Sequence, residues 1–186
     1  DVVLVGFSMG GGEVARYLSR YPENAVIKAA LIASVAPFKV VVGADPSGES
    51  AAGYSKTRQA ILGDRAAFFA SFFDKFFGAP DIAHPISDGL LVWARSIALQ
   101  ACLPATLGCL HAFSHTSFDA DVAAIKVPTL VIHGSEDKIV PISDAGRKKA
   151  NAIAQVKFIE YPGAPHGLFA THKVQLAQDL LSFIES

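Results

Sequence analysis

Short apolar runs of strand length alternate along this chain with segments of helical periodicity. Such an alternation is typical of strands and helices that build a parallel sheet. The runs are rich in β-branched residues, as expected for strands that are buried on both faces. The predicted strands cover residues 1–5, 28–35, 127–133 and 156–161, and the predicted helices between or after them cover about 12–20, 143–154 and 171–184.

The middle of the chain has a different pattern. Helical periodicity runs through about 55–62, 64–77, 86–101 and 104–113 with no strand between them. The second of these segments carries a stripe of six phenylalanines, with Asp74 and Lys75 on the other side, which is first of all a packing surface. We therefore predict core segments at 1–37 and 120–186 and a helical cap at 38–119. Some rings of this insertion, Phe72 and Trp93 among them, are predicted to line a pocket.

The first predicted strand leads directly into Gly6-Phe7-Ser8-Met9-Gly10. A serine on a tight strand-to-helix turn of this G-x-S-x-G form has its hydroxyl lifted above the edge of the sheet. Side chains two residues to either side would collide with the strand and the helix, so both positions are expected to be glycine. Ser8 is the candidate nucleophile, and Phe7 beside it is a candidate pocket residue.

A serine hydroxyl needs a base and a group that orients that base. Asp137 lies in a turn after the third predicted strand, and His166 lies in a loop after the fourth. Serine, acid and histidine thus occur along the chain in the order in which the catalytic partners of this motif are arranged. Glu136 is a rival for the acid. We interpret His133, at the end of its strand, as structural and in contact with the acid loop.

Composition limits the other classes of function. The 16 basic and 17 acidic residues are nearly balanced and form no basic run, which argues against a nucleic-acid partner. No apolar run has the length of a membrane span, and no membrane partner is expected. His111 and His115 are four residues apart but lack a third ligand, so we predict no metal site. Cys102 and Cys109 are expected to be two buried thiols, which fits a reducing, cytoplasmic setting.

Three segments resemble the cofactor-free (non-haem) haloperoxidases of the α/β-hydrolase fold, a family that includes aryl esterases and perhydrolases. They are VLVGFSMGGGEVARYLSRYP, VPTLVIHGSEDKIVP and YPGAPHGLFATHK. The resemblance implies a parallel sheet with flanking helices and a helical cap, and the triad Ser8, Asp137 and His166. It also implies that the backbone N–H of Met9 is the first donor of an oxyanion hole. The implied reaction uses no cofactor; its substrate is a small ester or acid, with hydrogen peroxide and halide in a side activity.

The same resemblance places several strands before the elbow, and a second oxyanion donor after a His-Gly motif on one of them. This chain begins at Asp1, and its only methionine is Met9. We therefore expect a fragment that lacks its N-terminal strands, whose bare sheet edge would favour association into a homo-oligomer. Two alternatives stay open. The chain is an inactive truncated hydrolase, or it cleaves C–C or other bonds with the same triad.

Overall fold

The computed structural model describes residues 1–23, 25–36, 49–78, 86–143, 146 and 152–186. Four strands form one parallel sheet in the order β1-β2-β3-β4. The predicted strands are confirmed with small shifts of their ends. Their bounds are β1 Val2–Phe7, β2 Val26–Ile32, β3 Thr129–Gly134 and β4 Val156–Tyr161.

The strand register brings the carboxyl ends of the strands to one edge of the sheet. Phe7 pairs with Ile32, which pairs in turn with Ile132. Two residues further on, Gly134 at the end of β3 pairs with Tyr161 at the end of β4. The loops that follow β1, β3 and β4 therefore emerge close together, at the edge where open α/β sheets bind ligands.

Helices cover both faces of the sheet. The helix that follows Ser8 and one short helix cover one face, and the two C-terminal helices cover the other. On one face, Ala29, Leu31 and Val131 pack against α1 (Met9–Arg20) and the short α6 (Asp119–Ala123). On the other face, neighbouring residues such as Ile32 and Leu130 pack against α7 (Leu168–Thr171) and α8 (Lys173–Glu185). This three-layer arrangement is the predicted α/β fold, with the core on both sides of β2 and β3.

Four helices lie in the chain between β2 and β3. Two of them begin at side-chain caps, where Asp64 accepts the N–H of Ala67 and Ser87 accepts the N–H of Leu90. The first helix begins six residues earlier than predicted. The helices are α2 Glu49–Gly63, α3 Arg65–Phe77, α4 Asp88–Gln100 and α5 Leu103–His115. The helix predicted over 143–154 falls mostly outside the described residues.

The prediction of two buried thiols was wrong. Cys102 and Cys109 are free cysteines, but both are exposed. The reason is the rotation of α5, which turns Leu110 and Ser114 toward the protein and Cys109 toward solvent.

No single helix in the described segments is long and apolar enough to cross a membrane. The helices α4 and α5, which meet at 99°, reach that length and apolarity only as a pair.

Candidate active site

Ser8 occupies the turn between β1 and α1 in a backbone conformation that few L-residues adopt. Its φ is 52°, in the left-handed region, where a non-glycine residue is held only by surrounding structure. That structure is a set of backbone hydrogen bonds. The N–H of Ser8 donates to the carbonyl of Ile32 at 3.0 Å, and its carbonyl accepts from Gly11 and Val35 at 3.0 and 3.1 Å. The adjoining end of β2 and the first turn of α1 thus hold the strained serine.

The glycines of the motif contribute unequally to this turn. A Cβ on Gly6 would lie 2.5 Å from the carbonyl oxygen of Gly10, which confirms the steric requirement at that position. A Cβ on Gly10 would meet no described atom within 4 Å, so the clash expected there was wrong for the described part of the chain. Gly11, which the motif does not include, is the second close approach, since a Cβ there would overlap the side chain of Ser34.

The three residues predicted from their positions after strands lie in one hydrogen-bonded chain. Ser8 Oγ donates to His166 Nε2 at 2.9 Å, and His166 Nδ1 donates to Asp137 Oδ2 at 2.7 Å. Both His166 and Asp137 are buried. The proton positions follow from the partners: the carboxylate fixes the hydrogen on Nδ1 and leaves Nε2 free to accept the serine proton. Glu136, the rival acid, is exposed.

Asp137 is held as an anion by donors on both of its oxygens. Burial by itself raises the pKa of this carboxyl, but hydrogen bonds donated by His133, His166 and the backbone of Val140 outweigh it and lower the pKa to about 2. His133, interpreted from the sequence as structural, contacts the acid loop as expected. Its Nε2 lies 2.8 Å from the carbonyl oxygen of Val140 and 3.2 Å from Asp137 Oδ2.

Met9 is the first residue of α1. The N–H groups in the first turn of a helix have no acceptor within the helix, and they point at whatever lies beyond its N-terminus. The Met9 N–H belongs to this first turn and directly follows Ser8 in the chain. When a serine oxygen attacks a carbonyl carbon, negative charge develops on the carbonyl oxygen. A backbone N–H in this position can stabilise that charge.

Aromatic rings surround His166, and only part of the predicted pocket is among them. The rings of Phe7 and Phe76 lie 5.1 and 4.8 Å from the imidazole, measured between centroids. Phe72 contacts Phe76 at 5.6 Å and lies one ring further away. Trp93 is 61% exposed on α4, and in the described segments no ring contact joins it to the triad. The sequence pattern marked the phenylalanine stripe but could not say which turn of α3 faces the histidine.

A cavity of about 310 Å³ lies beside Met9, between α1 and α5. Its wall is mainly apolar, with two charged residues of α1 at one side. The lining residues are Met9, Glu13, Arg16, Val35, Ala112, Phe113, Thr116 and Phe118. Its volume is at the lower end of the range for small-molecule sites, about 300–1,000 Å³. Sequence reasoning did not find this cavity, because its walls come from distant segments that share no motif.

Within the described ranges, no group of three or more His, Cys, Asp or Glu side chains is arranged to hold a metal ion. His111 and His115 stack on one another at 4.0 Å and pack against Tyr54. The chemistry that the site can perform with its own groups is proton transfer from a serine to a histidine, followed by attack of the serine oxygen on an electrophilic carbon.

Known proteins resemble this chain over almost its full length. Residues 1–179 match the Alpha/beta hydrolase family. The chain is 36% identical to a non-heme chloroperoxidase of Streptomyces lividans and 34% identical to a bifunctional esterase/perhydrolase of Acinetobacter calcoaceticus, over 99% of this chain and 67% of each relative. Among solved structures, a bromoperoxidase from Bacillus anthracis superimposes with a TM-score of 0.90 at 36% identity, over 100% of this chain and 67% of that one. The chain thus spans about two thirds of the length of these relatives.

Proposed function

The chain belongs to the alpha/beta hydrolase family, and on that premise we propose that it is a serine hydrolase of carboxylic esters with the triad Ser8, His166 and Asp137. The observation that carries the proposal is the continuous hydrogen-bonded chain from the Ser8 hydroxyl through His166 to Asp137. Its three members come from three separate loops at one edge of the sheet. Such a constellation is recognised by geometry and roles.

In the proposed reaction, Ser8 Oγ attacks the ester carbonyl while its proton moves to His166 Nε2. The charge of Asp137 stabilises the imidazolium that forms. The Met9 N–H donates to the developing oxyanion, and one such donor contributes about 10²–10³ in rate. His166 then returns the proton to the leaving alcohol as the ester C–O bond breaks. A water molecule, deprotonated by His166, attacks the acyl-enzyme, and the acid leaves as the bond to Ser8 Oγ breaks and His166 returns the proton to that oxygen.

We also propose a perhydrolase side activity. If hydrogen peroxide replaces water in the second half of the reaction, the same displacement releases a peracid, and the peracid can oxidise halide without a metal. This proposal is supported by the names of two relatives, the esterase/perhydrolase and the non-heme chloroperoxidase.

The described surroundings also support a small, mainly apolar substrate. Phe7 and Phe76 form an apolar wall on the side of His166, where the leaving group departs. The cavity beside Met9 lies on the side of the oxyanion donor and suits a short acyl group. The helices α2 to α5, between β2 and β3, are proposed to act as the cap, which contributes Phe76 of α3 and the α5 side of the cavity to these walls.

Hydrolysis of p-nitrophenyl acetate tests the proposal. Ser8→Ala is expected to abolish turnover and also labelling by a fluorophosphonate probe, because both need the serine oxygen. Ser96→Ala, on the exposed face of α4, is the matched control and should keep wild-type rates. Bromination with peroxide and bromide should disappear together with hydrolysis. Turnover or bromination that persists in Ser8→Ala would refute the assigned nucleophile.

A further inference from the structure

A second histidine lies against the acid of the triad. His133, in β3, is completely buried. Its Nε2 lies close to two oxygens, the carbonyl of Val140 at 2.8 Å and Asp137 Oδ2 at 3.2 Å. Neither oxygen carries a hydrogen, so Nε2 must be the protonated nitrogen and must donate. The other ring nitrogen, Nδ1, is buried without a hydrogen-bond partner among the described residues, which fits a neutral imidazole with its only hydrogen on Nε2.

His133 and His166 both face the same oxygen of Asp137. Asp137 Oδ2 accepts from His166 Nδ1 at 2.7 Å and also faces His133 Nε2 at 3.2 Å. Oδ1 is occupied separately by the N–H groups of Ile139 and Val140, at 2.9 and 2.7 Å. The hydrogen of His133 Nε2 is shared between Asp137 and the Val140 carbonyl. Donors on both oxygens leave the carboxylate one orientation, in which Oδ2 is directed at His166.

We infer that His133 is a positioning residue that shares Asp137 Oδ2 with His166 and thereby fixes the carboxylate against rotation. The inference rests on the proposed function in that His166 is taken as the base of the hydrolase. A carboxylate held in this orientation keeps the hydrogen of His166 on Nδ1, so that Nε2 faces Ser8 as an acceptor.

The surroundings of Asp137 and His166 support assigning this role to His133. In the described segments, the titratable side chains in contact with Asp137 are His133 and His166. The rings packed on His166, Phe7 and Phe76, carry no charge. Gly146 approaches the imidazole of His133 closely, since a Cβ on Gly146 would lie 2.9 Å from that ring. The charged residues next to Asp137 in the chain, Glu136 and Lys138, are exposed, where solvent screens them.

The test combines the kinetics of p-nitrophenyl acetate hydrolysis with the ¹⁵N spectrum of His166 in protein labelled with ¹⁵N-histidine. In His133→Phe the donor is lost, and kcat is expected to fall at least about tenfold with KM unchanged, because the base is no longer fully oriented. In His133→Gln the amide nitrogen occupies the place of Nε2, and kcat should stay within about threefold of wild type. The Nδ1–H tautomer of His166 should be partly lost in His133→Phe and kept in His133→Gln. Wild-type kcat together with an unchanged His166 spectrum in His133→Phe would overturn the inference.

Two further measurements keep the test decisive. The ¹⁵N shifts of the wild-type protein are expected to identify His133 as the Nε2–H tautomer, and a hydrogen on Nδ1 would contradict the inference even if His133→Phe did not fold. The His166 spectrum needs no turnover, so it can be repeated in Ser8→Ala. A wild type without esterase activity but with the expected change of the His166 spectrum in His133→Phe would reject the proposed function and retain the role of His133. Full activity with no such change would do the reverse.

Discussion

Replacing Gly6 by alanine tests the steric account of the elbow. A Cβ at this position would lie 2.5 Å from the Gly10 carbonyl oxygen and 2.7 Å from the Gly11 Cα. Both are backbone atoms in the first turn of α1, so no side-chain rotation relieves the overlap. Contacts tighter than 3.4 Å are rare for a real Cβ, and the end of β1 must therefore separate from α1 by about 0.9 Å.

Ser8 lies between β1 and α1, the two elements that the added methyl group would push apart. A displacement of about 0.9 Å is enough to stretch the 2.9 Å bond between Ser8 Oγ and His166 Nε2 beyond hydrogen-bond distance. A misplacement of this size costs about 10²-fold in rate. Overpacking of a close contact costs about 1–3 kcal/mol of stability, which lowers Tm by roughly 2–12 °C for a chain of this length.

The assay is kcat/KM for p-nitrophenyl acetate beside thermal unfolding, with Gly10→Ala as the matched control. The control adds the same methyl group four residues away, where a Cβ meets no described atom, and alanine is favoured over glycine within a helix. It should keep activity and Tm. A folded Gly6→Ala protein with kcat/KM within about threefold of wild type would refute the steric argument.

Two more predictions follow from the loops that carry the acid and the base. Because Asp137 has a pKa of about 2 when folded and an ordinary value near 3.8 when unfolded, its carboxylate stabilises the fold by about 2 kcal/mol above pH 4. That contribution disappears as the pH falls from about 4 to 2. Urea unfolding across this range should show the loss of stability in wild type and not in Asp137→Asn. Parallel curves of stability against pH for the two proteins would contradict the prediction. Alanine at Gly134 would overlap the backbone carbonyl of Ala164, in the His166 loop, and should lower kcat/KM at least about 10²-fold, whereas Gly53→Ala in α2, where a Cβ meets no described atom, should not.

The sequence was sufficient for the order of the strands and helices and for the three residues of the hydrogen-bonded chain. Each of these residues lies in the turn or loop after a strand whose apolar, β-branched composition marks it clearly. Because parallel strands end at the same edge of the sheet, residues that follow them in the chain can be placed together from the sequence alone. The local motif around Ser8 added the shape of the turn.

Features that depend on helix rotation or on contacts between distant segments could not be predicted in this way. The stripe on α3 has several phenylalanines at suitable spacing, and only packing decides that Phe76 faces His166 while Phe72 lies behind it. Cys109 was misjudged for the same reason. The requirement for glycine at position 11 arises from Ser34, after β2, a neighbour that periodicity along α1 does not reveal.

The hydrogen bond between Ser8 and His166 joins positions that are 158 residues apart. Contacts of such long range form late in folding, after local helices and neighbouring strands, so recovery of the proposed esterase activity on refolding should report the last stage of collapse. The same separation makes the intervening helices tolerant of length changes. The entropy of closing a loop grows only with the logarithm of its length, about 0.6 kcal/mol for each doubling. Insertions between β2 and β3 can therefore remodel the walls above the serine while the sheet continues to hold the three loops in place.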